Sequence, residues 1–134
     1  MNIRDLDGNI ISWHITGNIS KDTTTKKSTY HLKAREIIKK IFPTMQILEE
    51  VPVSVRKSEI LYLDFYIPLN KKCIEVHGEQ HYEFTPFYHA NKLSFLKAQK
   101  RDKEKKEWCE INGITYVELP YNLINEWEHR IANN

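Results

Sequence analysis

Two apolar runs in close succession constrain this chain most. Ile60-Leu61-Tyr62-Leu63-Asp64-Phe65-Tyr66-Ile67-Pro68 is followed, across Asn70-Lys71, by Lys72-Cys73-Ile74-Glu75-Val76-His77-Gly78-Glu79-Gln80-His81-Tyr82. Aliphatic and aromatic residues at period two read as strands, and the short connection predicts an antiparallel hairpin. Alternation puts Leu61, Leu63, Phe65 and Ile67 on one face and Tyr62, Asp64 and Tyr66 on the other. In the second strand Cys73, Glu75 and His77 share a face, opposite Ile74 and Val76. Paired in this way, Asp64 and Glu75 point to the same side of the sheet.

The rest of the chain supplies the frame. Residues 2–15 read as a hairpin around the Asp7-Gly8 turn, with Ile11, Trp13 and Ile15 alternating after it, and residues 16–28 read as a polar linker. Tyr30, Ala34, Ile37, Ile38 and Ile41 recur at helical spacing, with Ser28 or Thr29 as N-cap and Pro43 as a stop. A strand is expected over 46–55 and a long helix over 91–112, closed by Asn112-Gly113 and anchored by Leu93, Leu96, Trp108 and Ile111. A strand at 114–120 and a short amphipathic helix capped by Asn122 complete the order ββ-α-βββ-α-β-α. That order predicts an α/β (α+β) domain, a central mixed β-sheet flanked by helices.

At 134 residues the chain has the length of one domain; 40% hydrophobic and 28% charged residues exclude the disordered and collagen-like classes, and the lack of any long apolar run argues against a membrane span. The polar start MNIRDLDGN does not read as a signal peptide, and the widely spaced Cys73 and Cys109 suit a reduced, cytoplasmic setting. The net charge of +2 hides two basic segments, one from Lys21 to Lys40 and one from Lys92 to Lys106. Such segments create local fields that can hold a polyanion, or they are solvated helix faces.

Carboxylates on neighbouring strands that converge on one point suit a hard cation such as Mg²⁺, with Mn²⁺ as a substitute. Asp64 and Glu75 are placed for that, and His77 or His81 for proton transfer near neutral pH. Gln80 lies beside them, just past Gly78, where a residue without a side chain lets the chain turn sharply. Taken singly, each residue also has a structural reading: a strand-surface Asp64, a Glu75 paired with Lys71 or Lys72, a hydrogen-bonded strand-end histidine. Together the acids repel unless something positive lies between them. A zinc site of His77, His81 and Glu75 is a further arrangement open to the same residues.

The segments LDFYIP, CIEVHGEQHYEF and KRDKEKKEWCEINGITYVELP resemble the nuclease core of the PD-(D/E)xK superfamily. The resemblance is strongest to the branch holding very short patch repair and EDxHD homing endonucleases, and to small phage-encoded proteins of that type. It spans about residues 28–121 and implies a restriction-endonuclease-like core, with the N-terminal hairpin and terminal helix outside it. Asp64 and Glu75 match the family's strand-end aspartate and the acid of its acid-x-lysine, while His77 stands where the lysine usually is. Gly78 to His81 fits a G-x-x-H pattern, and Asp102 and Lys105, with Arg101 beside them, match helix positions that grip a phosphate. The family's first-helix glutamate falls at His31; Glu36 lies off the apolar face, and Glu49 or Glu50 are acids that would replace it.

The implied activity is Mg²⁺-dependent endonucleolytic hydrolysis of DNA, leaving 5′-phosphates. Asp64 and Glu75 would hold the metal, His77 or His81 move the proton, Gln80 orient water or phosphate, and Lys100, Arg101 and Lys105 neutralise the backbone. So small a core also implies structure-selective nicking, a homodimer or a partner protein. The contrasting reading is a DNA-binding module on a degenerate nuclease fold, whose binding would survive loss of Asp64.

Overall fold

The expected strand pair is the centre of the sheet. In the computed structural model, which describes residues 1–19 and 28–134, β5 (Glu59–Ile67) and β6 (Lys72–His77) pair antiparallel in the register Phe65↔Ile74, Tyr66↔Cys73, Ile67↔Lys72. β4 (Leu48–Arg56) pairs antiparallel with the other edge of β5, and β7 (Thr115–Pro120) runs parallel to β6 with Glu75 opposite Glu118. The parallel step needs a crossover, which α2 (Lys92–Ile111) supplies. Asn18–Ile19, expected to be linker, forms a short strand β3 on the free edge of β4, giving the order β3-β4-β5-β6-β7. Gly17 makes that possible: at φ 144° a Cβ there would stand 2.9 Å from the Glu49 carbonyl. The remainder of the expected linker, 20–27, lies outside the described residues.

Both faces of the mixed sheet are covered. On one, Ala34 and Ile38 of α1 (Thr29–Ile41) and Trp127 and Ile131 of α3 (Ile124–Asn133) pack on Phe65, Ile67 and Ile74. On the other, Val51, Leu63 and Tyr66 meet Trp108 and Cys109 of α2 and the hairpin of β1 (Asn2–Arg4) and β2 (Ile10–Ser12). The hairpin is thus part of the core: Trp13 packs edge-on against Trp108, ring centres 5.1 Å apart. Burying a side chain of this kind contributes on the order of 2–3 kcal/mol. Among the described residues no helix is long and apolar enough to cross a membrane.

Three local expectations need correction. Leu61 and Leu63 face α2, but Phe65 and Ile67 face α1, so the alternation of β5 switches sides at Asp64. The cause lies opposite, in β4: Glu50 is left-handed (φ 54°), and the strand pairs run from Glu49↔Phe65 to Val51↔Leu63, skipping Glu50 and Asp64. In α2 the predicted anchors Leu93 (59% exposed), Leu96 (58%) and Ile111 (46%) lie on the surface; of the four only Trp108 is buried, together with Glu104 and Cys109. Its inward stripe is instead Asp102, Lys105 and Cys109, at helical spacing, and the first two bond to residues of the candidate site. Asn122 does not cap α3; it lies in a 3₁₀ turn, Tyr121–Leu123, and the helix starts without a side-chain cap.

Candidate active site

Where the pairing of β5 with β6 ends, two strand residues form a bonded pair of acids. The Asp64 backbone N–H donates to Glu75 Oε2 (2.6 Å), and the Val76 N–H donates to Asp64 Oδ2 (2.9 Å). Glu75 is almost fully buried, and its other oxygen accepts from Lys105 Nζ of α2 at 2.8 Å. Burial, then the neighbouring Glu75 carboxylate, pushes Asp64 up to about 7. Burial disfavours the Lys105 ammonium, but Glu75 and Asp64 outweigh it and hold its pKa above the ordinary lysine value. One ammonium faces two carboxyl groups, buried Glu75 and half-buried Asp64, an arrangement that a bound cation would complement.

Asp64 and Glu75 open on a cavity of about 250 Å³ that is also lined by His31, Gln80, His81, Tyr88 and Lys105. His81 enters it from the 3₁₀ turn Glu79–His81, with Nδ1 held by Asp102 Oδ2 at 2.7 Å. Burial works against the Asp102 carboxylate, but the His81 hydrogen bond and the nearby His81, His77 and Lys105 charges together outweigh it and keep its pKa below the ordinary value. His77 lies behind, 4% exposed, its ring parallel to that of His81 at 4.2 Å and 5°. Burial, then His81, lowers the His77 pKa; Nδ1 faces Glu118 at 3.5 Å and Nε2 faces the Tyr116 hydroxyl at 3.4 Å. Gly78 has an ordinary φ of −75°, so its role is not a sharp turn: a Cβ there would stand 2.5 Å from Gln80 Oε1.

Of the residues singled out by sequence, Asp64, Glu75, Gln80, His81, Lys105 and His31 meet at the cavity, and Asp102 stands directly behind it. Glu50 joins them from β4: a nitrogen of His31 and carboxylate oxygens of Glu50 and Asp64 all lie within 4.8 Å of one another. Glu36 does not join; it is 74% exposed and faces Lys33 on the surface of α1. Lys100 is 72% exposed, 3.7 Å from Glu104, and Arg101 is exposed beside it. A zinc arrangement of His77, His81 and Glu75 gains no support, because in-plane lone pairs of two stacked parallel rings do not converge and Glu75 is bonded to Lys105. His77, His81 and Asp102 also have donor atoms within 4.8 Å of one another, and in that group His81 Nδ1 is hydrogen-bonded to Asp102.

Sequence reasoning missed Arg35. It is buried one turn after His31 and grips both oxygens of Glu49, at 2.8 and 2.9 Å, while Glu49 Oε1 lies 2.6 Å from His31 Nε2. An arginine on the apolar stripe of a helix, four residues from a histidine, is the signal that marks it.

Comparison with known proteins adds viral relatives of undescribed role. The chain is 41% identical over 63 residues to the uncharacterized protein 307L of Invertebrate iridescent virus 6, covering 47% of this chain and 32% of that one. Uncharacterized protein 033L of Invertebrate iridescent virus 3 matches at 36% over 63 residues, with the same coverage of 47% and 32%. Uncharacterized protein 094L of Frog virus 3 matches at 38% over 64 residues, 47% of this chain and 41% of that one. The matched region spans about a third of the length of these relatives, 32% to 41%. No protein-family model matches the chain, and no solved structure does.

Proposed function

We propose that this protein is a metal-dependent endonuclease that hydrolyses DNA phosphodiester bonds, of the PD-(D/E)xK kind. The observation that carries the reading is the convergence of Asp64 and Glu75 from adjacent strands on one cavity, with Lys105 bonded to Glu75. The hard oxygen donors fit Mg²⁺ or Mn²⁺ held by Asp64 and Glu75. Such an ion, when bound, polarises a phosphate and acidifies water. His81 moves the proton: Asp102 takes Nδ1 and fixes the ring, leaving Nε2 for the reacting oxygen. Lys105 supplies the ammonium that the acid-x-lysine pattern lacks where His77 stands, and it comes from the helix instead of the strand. Gln80 lines the same cavity and orients water or a phosphate oxygen.

Lys100 and Arg101, exposed on α2, neutralise the DNA backbone outside the cavity, and the products carry 5′-phosphates. The viral origin of the matched proteins suits an enzyme acting on DNA inside an infected cell, alone, as a homodimer or with a partner protein. The test is incubation of supercoiled plasmid with the protein. Nicking that requires Mg²⁺ or Mn²⁺ and stops with chelator supports the reading. Salt-sensitive DNA binding without cleavage in either metal would replace it with a binding module.

A further inference from the structure

We infer that a surface pocket between Tyr82 and Tyr121 holds one unpaired nucleobase of the strand whose phosphate enters the cavity. The pocket, about 360 Å³, is lined by Tyr82, Glu83, Pro120, Tyr121, Asn122 and Leu123. That size lies within the range of small-ligand pockets, about 300–1,000 Å³. One wall, Pro120 to Leu123, comes from the connection of β7 to α3, at and beyond the end of the segment that resembles the nuclease core.

The pocket adjoins the cavity. Tyr82 follows His81, which enters the cavity, and Tyr30 lines the cavity with its ring centre 6.3 Å from that of Tyr121. A phosphate in one recess and its base in the other is the layout of a single nucleotide.

The chemistry of the lining selects the occupant. The rings of Tyr82 and Tyr121, centres 6.2 Å apart and tilted by 38°, are not stacked on one another. Tyr82 is 39% exposed, which leaves ring surface for a third aromatic group. Glu83 brings a carboxylate, which repels phosphate and accepts from an amino group, and Asn122 brings an amide that both donates and accepts. A base with an exocyclic amino group suits all three features, and a phosphate suits none. A basic side chain of a protein partner would suit them too, but it would not need the pocket to adjoin the cavity.

The walls are fixed in advance. The Tyr82 hydroxyl donates to Glu118 Oε2 at 2.6 Å, and Nε1–H of buried Trp127 donates to the Pro120 carbonyl at 2.7 Å. Little conformational freedom is therefore lost when a base enters. In a paired duplex the base faces are covered by their neighbours, so a base reaches such a pocket only when unpaired or extruded. The substrate class that follows is single-stranded or locally unpaired DNA.

The inference rests on the nuclease reading for the placement of the phosphate, so its test measures binding without cleavage. Ca²⁺, which also takes oxygen ligands, replaces Mg²⁺. The probes are an abasic deoxyribose-phosphate strand of about six units, the same strand with one central adenine, and a dumbbell duplex closed at both ends. Fluorescence anisotropy should show wild-type protein binding the adenine strand about 5–100-fold more tightly than the abasic one. Tyr121→Ala should bind both strands alike and Tyr121→Phe should keep the preference, with duplex affinity within about twofold in each. Equal wild-type binding of the two strands, the result expected if the pocket takes a basic protein side chain, overturns the inference, and that readout needs no variant to fold. A Tyr121→Ala protein that keeps the adenine preference, or loses as much affinity for the duplex as for the adenine strand, also overturns it. Adenine preference without cleavage of DNA in Mg²⁺ or Mn²⁺ would keep the pocket and remove the nuclease; cleavage without adenine preference would do the reverse.

Discussion

The backbone N–H of Asp64 donates to the Glu75 carboxylate at 2.6 Å, just past Phe65↔Ile74, where the pairing of β5 with β6 ends. The two acids are thus joined where the two strands part, and both line one cavity. The consequences can be tested separately.

Lys105 is the cation that makes Glu75 tolerable in the core. Removing one member of a buried pair leaves the other uncompensated, and Lys105→Met is expected to cost about 3 kcal/mol in urea unfolding. Lys106→Met, on the exposed side of the same turn, should stay within about 0.5 kcal/mol.

Asp64 predicts an unusual dependence of stability on pH. Its folded pKa of about 7 lies above its ordinary value of 3.8, so folding favours the protonated carboxyl. That contribution is fully present below about pH 4 and is lost as pH rises through 7. In chelator, thermal melts should show Tm falling by roughly 5 °C or more from pH 5 to 8, and Asp64→Asn should flatten the profile. His77, lowered by burial and then by His81, contributes in the opposite direction, a loss as pH falls below the ordinary histidine range. An Asp64→Asn profile that keeps the full alkaline decline would place its origin elsewhere.

His81 and Asp102 are expected to act as one unit. Asp102→Asn should slow cleavage by about 10²–10⁴-fold and shift the pH–rate profile, with DNA affinity within about twofold. Unchanged rates would remove His81 from proton transfer.

The surface of α2 divides into parts with different roles. Leu93→Ser and Leu96→Ser should change unfolding free energy by less than about 0.5 kcal/mol, because both side chains are exposed. Trp108→Ala should cost about 3–5 kcal/mol. Lys100→Ala and Arg101→Ala should each lower the salt slope of DNA binding by about 1, with no effect on melting.

How far the sequence revealed these features follows from where period and propensity hold. The Leu61–Ile67 and Lys72–His77 strands and the crossover helix were legible because their periods and breakers are local, and so was the fold class. The face switch at Asp64 was not, since it depends on a left-handed Glu50 in the neighbouring strand. The same non-local logic hid the inward stripe of α2. Asp102 and Lys105 spend the positions where apolar anchors belong, so hydrophobic spacing alone pointed to Leu93 and Leu96. Asp64, Glu75 and His81 stood out as a cluster in sequence, whereas Arg35 and Glu49 come from different elements and meet only when α1 docks on β4.

The most direct measurement is cleavage of supercoiled plasmid in Mn²⁺ or Mg²⁺ by wild-type protein and by Asp64→Asn, with DNA binding and folding measured on the same samples. The account predicts metal-dependent nicking by wild type and none detectable by Asp64→Asn, which still folds and binds DNA. Nicking by Asp64→Asn at the wild-type rate would contradict it.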